Sequence, residues 1–434
     1  MRGPRAPRNG FTHPDAVAIS RRLMRSVIGG LFVALLVAEP ALAGSILYAT
    51  AASQQRIDGF CLGADGALAA TPTVQIPTLG RLPRRVLVGN GVLYVAEADR
   101  IEAFAIGQHG GLRPLAGSEP VQNLNPQDLT LNPDGKTLYV THLGFLEAFA
   151  LDAEGGLPKQ FTSCVQGENT NDFLDGQATS GLLYVSADDV PGRIAIYRLN
   201  ADGRLPQTGC GGLKKKDRPA VMRADSARKR LQRPKAFIVV GDFVYVEERS
   251  IHRLTAFRLQ PDGTFCDKGK DANGNVVAES CGDLAYFLPT SRCARHQAKE
   301  QHQQCAASKT ASVLQYEDLV LHPGGETLIG TQYFKGRLDA YRLKPEPRLP
   351  DAPTVQLPKQ PTFISTANPV MTPVRLTATD RAVYVAGGEL DRVVAFRLES
   401  DGVPVDAAPF SRTDEQTNSF PNDVAVAMLS AACE

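Results

Sequence analysis

Charged side chains recur at equivalent places in this sequence, and they are the groups best suited to do chemistry. When the starts of successive repeats are aligned, Arg85, Asp128, Asp175, Ala236, Asp318, Arg375 and Asp423 share one register. Arg84, Lys235, Glu317 and Asn422 stand next to them. Carboxylates and guanidiniums gathered in one place can bind a polar or ionic ligand, and their mutual fields shift their titration. In an enzyme, Asp128, Asp318, Asp423, Arg85 and Arg375 would be the groups to carry the reaction. Several carboxylates together could also hold a divalent cation, with oxygen ligands suiting Ca²⁺ or Mg²⁺; no other cofactor is expected. A plainer role competes with these, because an Asp at a strand start accepts backbone N–H bonds in the adjoining turn.

The histidines offer less. His142 follows a strand and reads as a surface residue, and His322 replaces Asn132 of an Asn-Pro-Asp-Gly turn. Cys293, His296, His302 and Cys305 resemble a zinc set, but their spacing does not put all four on one helical face. Asp271 to Asn275 reads as a turn rather than a calcium loop, because its glycine is misplaced for one. There is no G-x-S-x-G, P-loop, dinucleotide fingerprint or C-x-x-C-H.

The elements that must position these residues come from a repeat. Leu47-Tyr48-Ala49, Leu93-Tyr94-Val95, Leu138-Tyr139-Val140 and Leu183-Tyr184-Val185 recur at intervals of 45 or 46 residues. Val244-Tyr245-Val246, Leu328-Ile329-Gly330 and Val383-Tyr384-Val385 continue the series. A second alternating segment follows, as in Leu146-Glu147-Ala148-Phe149-Ala150-Leu151, and ends at a glycine turn. Ahead of the Tyr strand lies another strand and turn, clearest in Asp128 to Gly135. Four antiparallel strands per unit make a propeller blade, so the pattern predicts an all-β, seven-bladed β-propeller. Such a sheet has two apolar faces, and both are covered only when neighbours stack on each side.

The chain ends explain how the ring closes. The first unit lacks an inner strand, and the last, Pro421 to Ala427, is an inner strand with no successor. The C-terminal strand should therefore complete the first blade, which places Cys61 and Cys433 together and predicts a disulfide between them. Local pairing of Cys266 with Cys281 and Cys293 with Cys305 then leaves Cys164 for Cys210, although sequence alone leaves other pairings open. Two insertions interrupt the rhythm, at about 206–233 and 266–313. The first is basic (Lys214 to Lys216, Arg228 to Arg230), which suits a solvated loop or an anionic contact.

Residues 1–43 read as an export signal, and 44–434 as a single propeller. Arg21, Arg22 and Arg25 precede an apolar stretch from Val27 to Ala38, and Ala41-Leu42-Ala43 is a small-x-small cleavage site. The stretch is shorter than the roughly 20 residues that span a bilayer. Ser20 to Met24 also resembles a twin-arginine signal, so either that route or the general secretory one would take the protein to the periplasm or beyond. Beyond residue 43 there are 41 basic and 44 acidic residues. This balance excludes nucleic acid as an electrostatically driven partner, and no later run is long and apolar enough for a membrane span. A monomer is expected.

The blade pattern, from Pro126-Gln127-Asp128 through Tyr139 to the Leu-x-Ala-Phe-x-Leu strand and its glycine turn, resembles the lactonase propellers related to 6-phosphogluconolactonase and 3-carboxymuconate cyclase. The resemblance covers nearly all of the chain beyond the leader and implies the seven-bladed fold. It also implies histidines in Pro-x-His segments at the starts of inner strands. Here Pro126-Gln127-Asp128 and Pro421-Asn422-Asp423 occupy those places. The expectation is therefore a binding module for a small polar ligand or a periplasmic protein, with a lactonase-like hydrolase or cyclase as the alternative.

Overall fold

The computed structural model describes residues 44–115, 121–122, 125–166, 172–187, 192–206, 210, 220–222, 233–248, 253–270, 276–279, 281, 285–287, 316–332, 336–343, 355–357, 373–387, 391–406, 408–414 and 421–433. These form seven antiparallel sheets arranged as the blades of a propeller. The inner strands, in blade order, are Val424–Met428, Arg85–Gly89, Pro126–Leu131, Asp172–Thr179, Pro234–Val240, Tyr316–Leu321 and Pro373–Ala378.

The Leu-Tyr-Val repeat is explained by the two-residue period of a strand. Leu93 and Val95 face back towards blade 1, where they pack with Ile46 and Tyr48. Tyr94 faces forward and packs with Leu138 and Val140 of blade 3. The same alternation holds around the ring, giving a hydrophobic cluster at each of the seven blade–blade interfaces. Each buried Leu or Val contributes about 1.5–3 kcal/mol. The core is thus a ring of seven small cores, and no blade can hide its faces alone.

A second repeat is polar. The tyrosine hydroxyl donates to a glycine carbonyl in the next blade: Tyr48 to Gly110 (2.6 Å), Tyr94 to Gly155 (2.8 Å), Tyr139 to Gly203 (2.5 Å) and Tyr384 to Gly66 (2.8 Å). Tyr184 does the same with Gly263. Gly155 must be glycine for two reasons. Its φ is +83°, and a Cβ there would sit 2.8 Å from the Tyr94 hydroxyl.

The ring closes as the ends of the sequence require. Val424–Met428 pairs with Ser45–Ala51, from Ser45 opposite Met428 to Ala49 opposite Val424. Cys61 is bonded to Cys433 just beyond this junction. Cys164–Cys210 and Cys266–Cys281 are the other two disulfides among the described residues. Cys293 and Cys305, with His296 and His302, lie outside those residues, as do residues 1–43, 271–275 and most of the basic insertion.

Both insertion segments contain blade structure. Ala220–Met222 is the outer strand of blade 4, and Ala285–Phe287 that of blade 5. The hairpin Cys266–Lys270 and Val276–Glu279 extends the fourth blade by parallel pairing of Val277 with Val221. Among the described residues no helix is long and apolar enough to cross a membrane.

Candidate functional site

The aligned register does come together, at one end of the central channel. Inner strands 3 to 7 are each irregular at their start. Thr141 pairs with Asp128 but the next residue, His142, pairs with Pro126, so Gln127 is extra. Similar shifts fall ahead of Gly176, Phe237, Asp318 and Arg375. A bulge of this kind bends the strand and re-aims a side chain. Pro126, Pro234 and Pro373 stand at these strand starts, where the missing N–H costs no ladder bond.

The four aspartates share one task. Each carboxylate accepts the N–H that follows the ring position of the next blade: Asp423 from Val86 (3.0 Å), Asp128 from Gly176 (3.1 Å), Asp175 from Phe237 (3.4 Å) and Asp318 from Leu376 (3.0 Å). Arg85, Ala236 and Arg375 have no carboxylate with which to do this for the blades after them. After Ala236 and Arg375, Asp318 and Asp423 accept the N–H of their own following residues, Leu319 and Val424, at 2.9 Å. The aspartates are therefore inter-blade clamps at the inner edge of the sheets.

The basic residues differ from one another. Arg85 Nε donates to the Gln127 carbonyl of the next blade (2.7 Å) and lies 3.7 Å from Asp128. Lys235 forms an ion pair with Glu317 between blades 5 and 6. Arg84 donates to the Asn125 side chain at 3.2 Å and is half-buried, while Asn422 Nδ2 reaches the Pro83 carbonyl at 3.4 Å. Arg375 reaches across the channel to carboxylates of three other blades: Asp318 (3.0 Å), Asp128 (3.5 Å) and Asp175 (3.6 Å). Its side chain is only 11% exposed.

Titration follows from this crowding. Burial and the neighbouring Asp128 push Asp175 well above the usual carboxylate range. Burial raises Asp318 too, and lifts Asp423 to about 6 despite Arg85 and Arg375 nearby. Burial alone would weaken the Arg375 charge, but the surrounding aspartates outweigh it and hold the guanidinium protonated. Arg85 moves the other way, lowered by burial and by Arg375.

A cavity of about 250 Å³ opens beside this network. Its polar lining is Asp128, Asp318, Asp423, Arg375 and Thr377, over apolar walls such as Val86 and Leu376. Of the residues singled out in the sequence, these aspartates and Arg375 face it. Arg85 and Asp175 adjoin it through Asp128 and Arg375, and Ala236 supplies no chemistry.

Two readings of histidine are settled by burial. His142 is not a surface residue: it is 4% exposed, and its Nε2 lies 3.0 Å from Glu147. It is the last residue of the strand Thr137–His142, paired with Phe145 of the adjacent strand, rather than a residue beyond the strand's end. His322 is a turn residue, its Nδ1 accepting the Gly324 N–H at 3.2 Å. Glu147 also lies close to the sulfurs of Cys164 and Cys210, but those are joined to each other.

Fold and site together define a seven-bladed propeller with a charged channel mouth. Neither a family model nor a curated protein sequence matches the chain. Solved structures do match. The periplasmic gluconolactonase of Pseudomonas aeruginosa is 15% identical with a TM-score of 0.59, over 89% of this chain and 100% of that one. A Bacteroides uniformis protein described as a candidate 6-phosphogluconolactonase is 14% identical with the same TM-score, over 89% and 99%. A Lactobacillus plantarum protein matches equally, at 14% and 0.59 over 89% and 100%. At such identities the similarity establishes the lactonase-type propeller fold.

Proposed function

We propose that the protein is an exported propeller that binds a small polar ligand in the mouth of its central channel, as a monomer and without a resident cofactor. The observation that carries this is the 250 Å³ cavity, walled by Asp128, Asp318, Asp423 and Arg375 on strands that are clamped to one another. Clamped strands present their charges without reorganisation, which favours binding. The leader-like segment, the disulfides and the likeness to a periplasmic gluconolactonase support export.

A lactonase-like hydrolase or cyclase is the second reading, favoured by the same structural likeness and by Asp423, whose value of about 6 suits proton transfer. We favour binding because the aspartate oxygens are already engaged by backbone N–H groups, and the described cavity lining has no histidine. The test is a panel of sugar lactones, assayed for binding and for hydrolysis with and without divalent metal. The expected result is saturable binding without turnover. Turnover that disappears in Asp128→Ala and Asp423→Ala would establish the enzyme instead.

A further inference from the structure

We infer that the channel mouth selects ligands that donate hydrogen bonds and carry no negative charge, polyols and above all amino-polyols, and that it rejects sugar acids and sugar phosphates. The inference rests on the channel mouth being a ligand site, as proposed above, and assigns that site its ligand class.

The argument is a charge count at contact distance. The cavity is lined by three carboxylates, Asp128, Asp318 and Asp423, against one guanidinium, Arg375. Arg85 adds a second positive charge, but it lies behind Asp128 and spends its Nε on the Gln127 carbonyl. An anion entering this cavity would look to Arg375 for its partner. That guanidinium already faces Asp318 at 3.0 Å, Asp128 at 3.5 Å and Asp175 at 3.6 Å. To bind it, the anion must share that guanidinium with carboxylates already placed around it, or displace Asp318 and leave that buried charge with backbone N–H partners alone, and either is unfavourable. It must also sit beside Asp423, whose own charge is already disfavoured by burial.

A hydroxyl or ammonium donor meets the opposite situation. Each carboxylate has about four acceptor sites. One or two are taken by backbone N–H groups, as at Asp423 by Val86 and Val424. With the Arg375 bonds to Asp318 and Asp128 counted as well, one or two acceptor sites remain on each carboxylate, and an ammonium would offset the local excess of negative charge. Charge-assisted bonds of this type are roughly twice as strong as neutral ones. The apolar floor of Val86, Leu376, Val424 and Val426 suits the carbon backbone of a polyol.

The test uses three probes that differ at one terminus: glucamine (ammonium), glucitol (hydroxyl) and gluconate (carboxylate). Binding is measured by calorimetry at pH 7.5, with 6-phosphogluconate as a further anion. The expected order is glucamine, then glucitol, then the anions, with at least a tenfold gap between glucamine and gluconate. Asp128→Asn and Asp318→Asn keep an acceptor oxygen for the clamp but remove charge, and each should narrow that gap; a melting curve shows that the variants are folded. Tighter binding of gluconate or 6-phosphogluconate than of glucamine would overturn the inference while leaving the ligand site standing. Equal affinities across the series would overturn it too. Binding of none of the four would remove the ligand site itself, and the inference with it.

Discussion

Asp318 and Arg375 occupy the same register on neighbouring blades, yet they use their hydrogen bonds in opposite ways. Asp318 turns to the next blade and holds the Leu376 N–H at 3.0 Å. Arg375 turns to the channel and meets carboxylates from three other blades. The repeat thus places aspartate clamps at four of the seven positions and long cations at two, of which Arg375 reaches the carboxylates of three other blades. Three of the clamping aspartates also line the cavity, whereas Arg375 lines it without clamping a neighbouring strand.

The largest effect that could break this comparison is loss of the cation. In Arg375→Met, Asp128, Asp175 and Asp318 face one another without their shared partner. Stability should fall by about 3–5 kcal/mol near neutral pH. The loss should shrink at pH 5, where carboxylates with raised values take up protons. Chemical denaturation at the two pH values checks this, and a loss that is equal at both would argue against the shared guanidinium.

A smaller effect sharpens the role of the clamps. Asp423 titrates near 6 in the folded protein, above the ordinary carboxylate value of about 4. The folded state therefore binds this proton more tightly than the unfolded one. The resulting stabilisation is complete below about pH 4 and is lost as the pH rises through 6, about 3 kcal/mol in all. Asp423→Asn should lack this slope, read as the difference between two denaturation series. The smallest effect concerns the outer hydrogen bonds: Tyr94→Phe removes the bond to Gly155 and should cost about 1 kcal/mol with no change in ligand binding.

Much of this was legible in the sequence because the physics is periodic. Leu93, Tyr94 and Val95 alternate as a strand packed on both faces must, and the two chain ends announced their pairing by what each lacked. The register of Asp128, Asp318 and Asp423 could also be read, since each opens the same kind of apolar strand, while Asp175 aligned less clearly. Their partners could not. The Val86 and Leu376 N–H groups belong to the next blade, and no local pattern records a contact between residues 337 positions apart, as for Asp423 and Val86. The bulges were missed as well, although a proline two residues ahead of Asp128, Ala236 and Arg375 was a usable signal. His142 was misjudged because it is the last residue of its strand rather than one beyond the strand's end.

The most direct measurement is amide hydrogen exchange, followed by mass spectrometry, in Asp423→Ala and Asp318→Ala. If each aspartate clamps the next blade besides the residue that follows it, Asp423→Ala will speed exchange in the peptide covering Arg85–Gly89 and leave Pro373–Ala378 protected. Asp318→Ala will do the reverse. Loss of protection in both peptides in either variant, or in neither, would contradict the clamp.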